Sequence, residues 1–353
     1  MAANTSLQDL GWRPFFDEQR ASLDASLFVG RVSIAQREHY HLMTESGVVQ
    51  ADLSGRLRHD ASSALDLPAV GDWVAATPAC DGKTARVVHV LDRRTQFVRK
   101  AAGRRSEPQV VAANVDRVAV VTTPNNDFSA RRLERYLAAI CESGAEAVFV
   151  LNKADLCDDV EPYLAGFREA DADTPVIVTH ATQGDGLDAV RGLAERGDTL
   201  VLVGSSGVGK STIVNRLLGG DVQKVGEIRE SDDCGRHVTS HRELFLLEGG
   251  GLLMDTPGMR ELQVWAFGDE PVAGFVDIDT VAEGCRFRDC THHDEPGCAV
   301  RAAAESGTLS AERVAGYRKL QAEVEAQMRR QDPNTKARWR SVSRAIKKLY
   351  KER

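Results

Sequence analysis

The run Leu200-Val201-Leu202-Val203-Gly204-Ser205-Ser206-Gly207-Val208-Gly209-Lys210-Ser211-Thr212 constrains the chain more than any other stretch. An apolar β-branched segment ends at a glycine, four residues follow, and Gly209-Lys210-Ser211 opens a helix-compatible segment reaching Leu218. Strand, G-x-x-x-x-G-K-S and helix in that order form a phosphate-binding loop. Glycines let backbone N–H groups turn inward around phosphate oxygens, and the new helix adds its free N–H groups and positive dipole end. Phosphate contact is therefore expected from Gly204 through Thr212, with Lys210 on the outer phosphates and the Ser211 hydroxyl on Mg²⁺. The surroundings agree with an α/β sheet. Strands at 116–121, 147–151, 175–178 and 200–203 alternate with helices, one over 129–141 with Ser129 as N-cap and Leu133, Leu137 and Ile140 on one face.

Two further motifs select the ligand. Asn152-Lys153-Ala154-Asp155 follows a strand directly. Asp155 can accept hydrogen bonds from guanine N1–H and the 2-amino group, donors that adenine lacks. Asn152 would bond the base's other edge, and the Lys153 stem would cover the ring. Thr179-His180-Ala181, after the next strand, completes the candidate base pocket. Asp255-Thr256-Pro257-Gly258 follows the apolar segment 251–254. There Asp255 would hold Mg²⁺ through water, and the Gly258 N–H would reach the γ-phosphate. Each short motif alone is a polar turn; together they make GTP the expected ligand. Their order is unusual. Conventional G domains run phosphate loop, switch threonine, D-x-x-G, N-K-x-D, whereas here Asn152 precedes Gly204, so the domain is circularly permuted. Its switch segment then leads straight into the C-terminal region, giving a γ-phosphate signal a covalent lever.

Catalysis needs a group that orients the attacking water. Met259 follows Gly258, where many GTPases place a glutamine, and a thioether cannot do that work. The polar segment 228–241 carries His237-Val238-Thr239-Ser240. Thr239 is the candidate switch hydroxyl for Mg²⁺, and His237 the candidate to position or polarise water.

The flanks have other characters. Short candidate strands at 28–34, 40–43, 47–52, 72–76 and 84–90, punctuated by Gly, Pro and Asp, suit a small all-β barrel of the OB-fold type. The basic cluster Arg93, Arg94, Arg99, Lys100, Arg104 and Arg105 behind it tilts that unit toward nucleic acid. Residues 1–27 form an extension with a partly amphipathic helix (Leu7, Leu10, Trp12, Phe15, Phe16) and no assigned role. Near the other end, Cys285, Cys290 and Cys298 stand with His292 and His293 within fourteen residues, a donor set for a closed tetrahedral zinc site. Ser310 caps a helix with Val314, Tyr317, Leu320, Val324 and Met328 on one face, and Pro333 breaks it. The overall charge of −7 hides a basic tail, in which Arg329–Arg353 holds ten Lys/Arg against Asp332 and Glu352. Beside Trp339, that concentration favours RNA phosphates. No apolar run approaches the roughly 20 residues of a membrane span, and the N-terminus has no secretory signal pattern, so a cytoplasmic protein without membrane contact is expected.

The permuted order, with Gly204–Ser211, Asp255–Gly258, Ala112-Ala113-Asn114-Val115-Asp116 and Arg131-Arg132-Leu133-Glu134-Arg135-Tyr136, resembles the family of ribosome small subunit-dependent GTPase A (RsgA/YjeQ). The likeness runs from about Phe28 to Val300 and includes Gly55-Arg56-Leu57-Arg58 and Val70-Gly71-Asp72-Trp73. It implies a multidomain chain: extension 1–27, OB-fold 28–108, permuted α/β GTPase domain 109–278, and a small α-helical zinc-binding domain with basic tail, 279–353. It also implies one structural zinc on Cys285, Cys290, His292 and Cys298, which selects His292 over His293. Its further implications are a switch histidine matching His237 and late maturation of the small ribosomal subunit, with that subunit stimulating GTP hydrolysis. The family's usual His-Thr-Thr-Thr is here His237-Val238-Thr239-Ser240, so only the middle threonine is kept. The leading expectation is thus a monomeric GTP hydrolase whose partners are GTP/GDP, the small subunit and its rRNA. The alternatives are a metabolic P-loop kinase or ATPase, which the guanine motif disfavours, and a GTP-dependent RNA-binding switch without turnover.

Overall fold

The computed structural model describes residues 5–36, 38–79, 84–100, 108–125, 128–205, 207–220, 242–255, 275–287 and 290–329. His237, Thr239, Ser206, Gly258, Met259 and the basic tail beyond residue 329 lie outside them.

Five strands close a barrel: β1 (Phe28–Gln36), β2 (His39–Thr44), β3 (Gly47–Leu53), β4 (Trp73–Thr77) and β5 (Ala85–Val90). Each pairs with its neighbours in the ring β1-β2-β3-β5-β4-β1, with only β3–β5 parallel. Five strands leave little interior room, and small or branched side chains (Val32, Leu42, Ala51, Val74, Ala76, Ala85, Val87) fill it around the ring of Tyr40. Closure removes the exposed edges that would otherwise recruit other chains.

The extension is built into this unit. After α1 (Asp17–Ala21) the chain enters β1, and Leu7, Leu10, Trp12 and Phe16 bury against Val29, Trp73, Ala75 and Leu91. The Trp12 ring meets Trp73 edge-on, 4.8 Å between centroids. Following β3, α2 (Gly55–Asp60) starts at Ser54, whose hydroxyl accepts from Leu57 N–H, and lays Leu57 on the barrel core.

A hairpin of β6 (Gln96–Lys100) and β7 (Pro108–Ala113) leads into the α/β sheet. In that sheet β8 (Arg117–Thr122), β9 (Glu146–Leu151), β10 (Val176–Val178), β11 (Thr199–Val203) and β13 (Leu252–Asp255) are parallel, in the order β10-β9-β8-β11-β13. The antiparallel β12 (Glu243–Leu246) flanks β13 and touches β1 at Ile34, which continues the sheet into the barrel.

Alternation along β8 shows why the strands read as continuous apolar runs. Val118 and Val120 face a core made with α3 (Ala130–Ser143) and α4 (Glu161–Ala170). Ala119 and Val121 face the opposite core, made with α5 (Leu187–Gly192) and α6 (Lys210–Leu218). Ser129 is the N-cap of α3, but its side chain makes no capping bond; the helix ends at Gly144, φ 86°.

Beyond the switch segment, α7 (Val276–Ala282), α8 (Ala299–Glu305) and α9 (Ala311–Arg329) form a small unit around Phe275, Ile278, Val300, Leu309, Val314 and Tyr317. Ala138 of α3 belongs to the same cluster, so this unit sits on α3. Among the described residues, no helix is long and apolar enough to cross a membrane.

One buried cation ties the units together. The Arg31 guanidinium of β1 donates to Leu10 O (2.6 Å), Gly71 O (3.2 Å), Asn114 O (2.8 Å) and Thr199 Oγ1 (2.9 Å). Those acceptors belong to the extension, the barrel, the β7–β8 link and β11. Burial lowers the Arg31 pKa to about 10, against which the Asp116 carboxylate pulls, so the charge persists at neutral pH. The neighbouring Val70–Trp73 motif serves the same junction. A Cβ on Gly71 (φ +92°) would lie 2.0 Å from Ala113 O.

Arg93 and Arg94, expected on a nucleic-acid surface, turn inward instead. The Arg93 fork grips both oxygens of fully buried Asp72 at 2.7 Å and donates to Leu65 O and Leu67 O. Arg94 donates to Asp116 at 3.1 Å. A charge that satisfies buried carbonyls and a carboxylate is a junction brace, and sequence clustering cannot tell that from a solvated basic face.

Candidate functional site

The parallel strand order brings the ends of β8, β9, β11 and β13 to one rim, where loops of open α/β sheets hold ligands. Gly204 leaves β11 at φ +139°, and a Cβ there would strike Val121 O of β8 at 2.1 Å. Gly207 (φ +83°) and Gly209 (φ +97°) then turn the loop, and α6 begins at Lys210. The Lys210 ammonium donates to Gly204 O (2.7 Å) and Ser205 O (2.6 Å). Val208 is buried in the core, and Ser211 and Thr212 occupy the first turn of α6. Asp255 ends β13, the strand beside β11, so it stands at the same rim as the start of α6.

The base motif and the phosphate loop are physically joined. Asn152, 1% exposed, donates from Nδ2 to Val208 O at 2.8 Å. Its Oδ1 accepts from Thr179 Oγ1 (3.0 Å) and Ala181 N (3.2 Å). The Asn152 amide, expected at the edge of the base, is thus engaged by protein groups at both ends. The Lys153 backbone is left-handed (φ 58°), and its ammonium donates to Gly207 O at 2.8 Å, which lays the stem across the loop. A side chain on Gly209 would meet Asn152 Nδ2 at 2.2 Å, so the tight approach requires glycine. Thr179 is buried, and the Ala181 N–H is directed at Asn152. Asp155, the carboxylate expected to read the base, is exposed and pairs with His180 Nε2 at 3.1 Å.

A second cluster sits in the C-terminal unit. The ligand atoms of Cys285, Cys290, His292 and Cys298 lie within 4.8 Å of one another. His292 Nδ1 is 3.6 Å from the Cys285 sulfur and 3.5 Å from that of Cys298, and those two sulfurs are 4.0 Å apart. Tetrahedral zinc, with bonds of about 2.3 Å to sulfur and about 2.0 Å to nitrogen, needs edges of about 3.8 Å (S···S) and about 3.5 Å (S···N). The donors therefore fit zinc in number, chemistry and spacing.

The thiols respond to this crowding. Burial raises Cys285, but the N–H groups of Val300 and Ala299 and the neighbouring thiols outweigh it, so its pKa falls. Burial and the other thiols push Cys290 up to about 12. His292 reaches inward from a left-handed backbone (φ 61°), while His293 is exposed. Glu295 holds that turn by accepting from the N–H groups of Thr291 and His293, both at 2.9 Å, and from the Thr291 hydroxyl. The Thr291 hydroxyl, foremost, holds the Glu295 carboxyl down to about 2.

A cleft of about 430 Å³ lies at the other end of the strands, lined by Arg13, Arg94, Arg117, Asp116, Glu146 and Asp198 among others. Its charges pair off, Arg13 with Asp198, Arg117 with Asp198 at 2.7 Å and Arg94 with Asp116 at 3.1 Å, so it is a seam between units. Two arginines have contacts that the motifs did not assign. Arg132 of α3 donates to Ser205 Oγ at 2.8 Å, and Arg313 of α9 donates to Glu134 of α3 at 2.6 Å. Helical spacing gives α3 a buried face; it does not show which exposed arginine meets a loop that lies 73 positions away in the chain.

A parallel sheet that supplies the base motif before the phosphate loop, joined to a five-stranded barrel and a Cys₃His unit, defines a circularly permuted P-loop GTPase. Comparison with known proteins gives the family. Residues 90–265 match the RsgA GTPase family. The small ribosomal subunit biogenesis GTPase RsgA of Opitutus terrae is 42% identical over 351 residues, covering 96% of each chain. Among solved structures, YjeQ from Thermotoga maritima superposes with a TM-score of 0.62 at 25% identity, over 84% of this chain and 98% of that one. YloQ, described as a circularly permuted GTPase, superposes with a TM-score of 0.60 at 24% identity, over 86% of this chain and 96% of its own. The chain belongs to the RsgA GTPase family.

Proposed function

We propose that this protein hydrolyses GTP and acts in maturation of the small ribosomal subunit, which stimulates the reaction. The observation that carries the nucleotide part is the bracing of the phosphate loop by the guanine motif, through Asn152 to Val208 O and Lys153 to Gly207 O. Base and phosphate sites are thereby one rigid unit, as a GTP-selective site requires. The ribosomal part rests on the names carried by relatives about 40% identical over most of the chain.

Asp155 reads guanine N1–H and the 2-amino group, and the loop N–H groups and Lys210 take the phosphates. Ser211, Asp255 and Thr239 would hold Mg²⁺, which supplies charge neutralisation on the phosphates. His237 positions the attacking water in place of a glutamine, since Met259 cannot. Cys285, Cys290, His292 and Cys298 take one structural zinc. The basic tail and the barrel meet rRNA, and the protein works as a cytoplasmic monomer. Slow intrinsic turnover follows if the switch loop is ordered only by its RNA partner.

GTP turnover measured with and without purified small subunits tests this; a rate indifferent to the subunits removes the ribosomal reading. Displacement of labelled GTP by ATP would instead favour the kinase or ATPase reading. Met259 lends weight to a switch without turnover, and unchanged hydrolysis by His237→Ala would overturn the role given to the histidine.

A further inference from the structure

Helix α3 touches both the phosphate loop and the metal-binding unit. From its first turn, Arg132 donates Nη1–H to the Ser205 hydroxyl at 2.8 Å. Ser205 is the first residue after Gly204, and its carbonyl already accepts from Lys210 at 2.6 Å. Two cations therefore converge on one loop residue. Asn152 and Lys153 brace the same loop from the base side. Like charges gathered in this way gain most when an anion lies between them, and a nucleoside triphosphate supplies several negative charges at the mouth of this loop. An arginine there presents a planar fork suited to phosphate oxygens, whereas Met259 leaves the switch side without a polar donor at that position.

The rest of α3 is held by the C-terminal unit. Glu134, 4% exposed, accepts from Arg313 at 2.6 Å. Burial raises its pKa, with Arg313 opposing that shift. The same guanidinium forks onto Asp277 at 2.7 and 2.9 Å and stacks over the Phe275 ring at 4.9 Å. Arg131 pairs with Glu312 at 3.5 Å, and Ala138 lies in the C-terminal core. Asp277 and Phe275 stand just beyond the segment that follows Asp255, so Arg313 joins the end of the switch connection to the helix that carries Arg132.

We propose that Arg132 contacts the γ-phosphate of bound GTP, supplied in cis from α3, and that Arg313 is a positioning residue through which the C-terminal unit sets its approach. The proposal rests on the reading of residues 204–211 as the GTP site. A guanidinium on the terminal phosphate stabilises charge that grows as the bond to the leaving phosphate breaks, so its effect falls on turnover more than on GDP binding.

The test uses the full chain loaded with Mg²⁺ and zinc. It measures single-turnover GTP hydrolysis, affinity for labelled GDP and thermal melting. Arg132→Ala should hydrolyse GTP roughly 100-fold more slowly, the loss expected for one preorganised donor, with GDP affinity within about twofold of the parent, and Arg132→Lys should recover part of the rate. Arg313→Lys keeps a charge but loses the fork; it should slow hydrolysis several-fold in the parent and add nothing in the Arg132→Ala background. Parent-like hydrolysis by Arg132→Ala, or additive losses in the double variant, overturns the proposal. If Arg313→Lys lowers the melting temperature enough to obscure the rate, Glu134→Gln repeats the cycle from the α3 side. Parent protein that binds no GTP, or Lys210→Ala that binds GTP normally, would instead refute the reading of the nucleotide site.

Discussion

The nucleotide site and the Cys₃His cluster are built on opposite plans. The cluster is local: four ligand atoms from residues 285–298, with a turn that Glu295 holds. The candidate nucleotide site draws on four segments, near 152, 180, 204 and 255, that the sheet brings to one rim. Its bonds run across those segments from side chains to backbone, Asn152 to Val208 O and Lys153 to Gly207 O, and α3 adds a side-chain bond from Arg132 to the Ser205 hydroxyl. A local cluster can be lost without disturbing the sheet, whereas the distributed site depends on every strand keeping its place. Stability of the one should follow the metal, and stability of the other should follow the core.

The strongest test of that difference is metal removal. A structural zinc on these ligands contributes on the order of 10 kcal/mol to the segment it organises. Chelation, or Cys298→Ala, should unfold the C-terminal unit while labelled GTP still binds. Calorimetry that shows one concerted transition, with GTP binding lost alongside the metal, would break the distinction. Next in size is Arg31→Ala. Four acceptors in four segments lose their common donor, at a cost of about 3–5 kcal/mol. The whole-protein melt should shift, with metal content unchanged by atomic absorption. A shift confined to the barrel would mean that the junction is not held by this residue.

The two plans also differ in how far they could be read beforehand. The phosphate loop, the base motif and the barrel strands were legible because each is a short run whose spacing has a local cause, such as a glycine turn or an alternating face. The three cysteines were legible in the same way, whereas the choice of His292 over His293 came from the family resemblance. Long-range pairs left no such trace. Arg93 and Arg94 looked like surface charge, yet they answer Asp72 and Asp116. Arg31 sits in an ordinary strand sequence, and only the arrival of Leu10, Asn114 and Thr199 explains its burial. The extension had apolar residues at helical spacing, and what it covers, the Trp73 face of the barrel, is a tertiary fact. The motif places Asn152 at the base edge, but its spacing alone gives no sign of the bonds that its amide makes with Val208 O, Thr179 Oγ1 and Ala181 N.

Asn152→Ala sharpens the comparison from the distributed side. It removes three bonds at a buried position and should cost about 2–3 kcal/mol. Because those bonds tie the base loop to the phosphate loop, labelled GTP and GDP should both bind more weakly, with the metal cluster untouched. Equal loss for GTP and for inorganic pyrophosphate would place its whole effect on the phosphate loop.

The smallest effect expected comes from the local side. Glu295 touches no metal ligand atom; it accepts from the N–H groups on either side of His292 and fixes the left-handed turn that aims the ring inward. Glu295→Ala should therefore leave the four donors in place but freer to move, lowering zinc affinity by about tenfold. Its carboxyl, held down to about 2 chiefly by the Thr291 hydroxyl, stays ionised at any pH at which the cysteines can bind metal. Acid release of the metal should therefore follow protonation of the ligands, with the Glu295→Ala midpoint displaced only by the loss of affinity. Competition with a chromophoric chelator reads both quantities. GTP affinity serves as the internal control, because a local plan predicts that it does not move, and a parallel fall in both would tie the turn at 291–295 to the nucleotide rim.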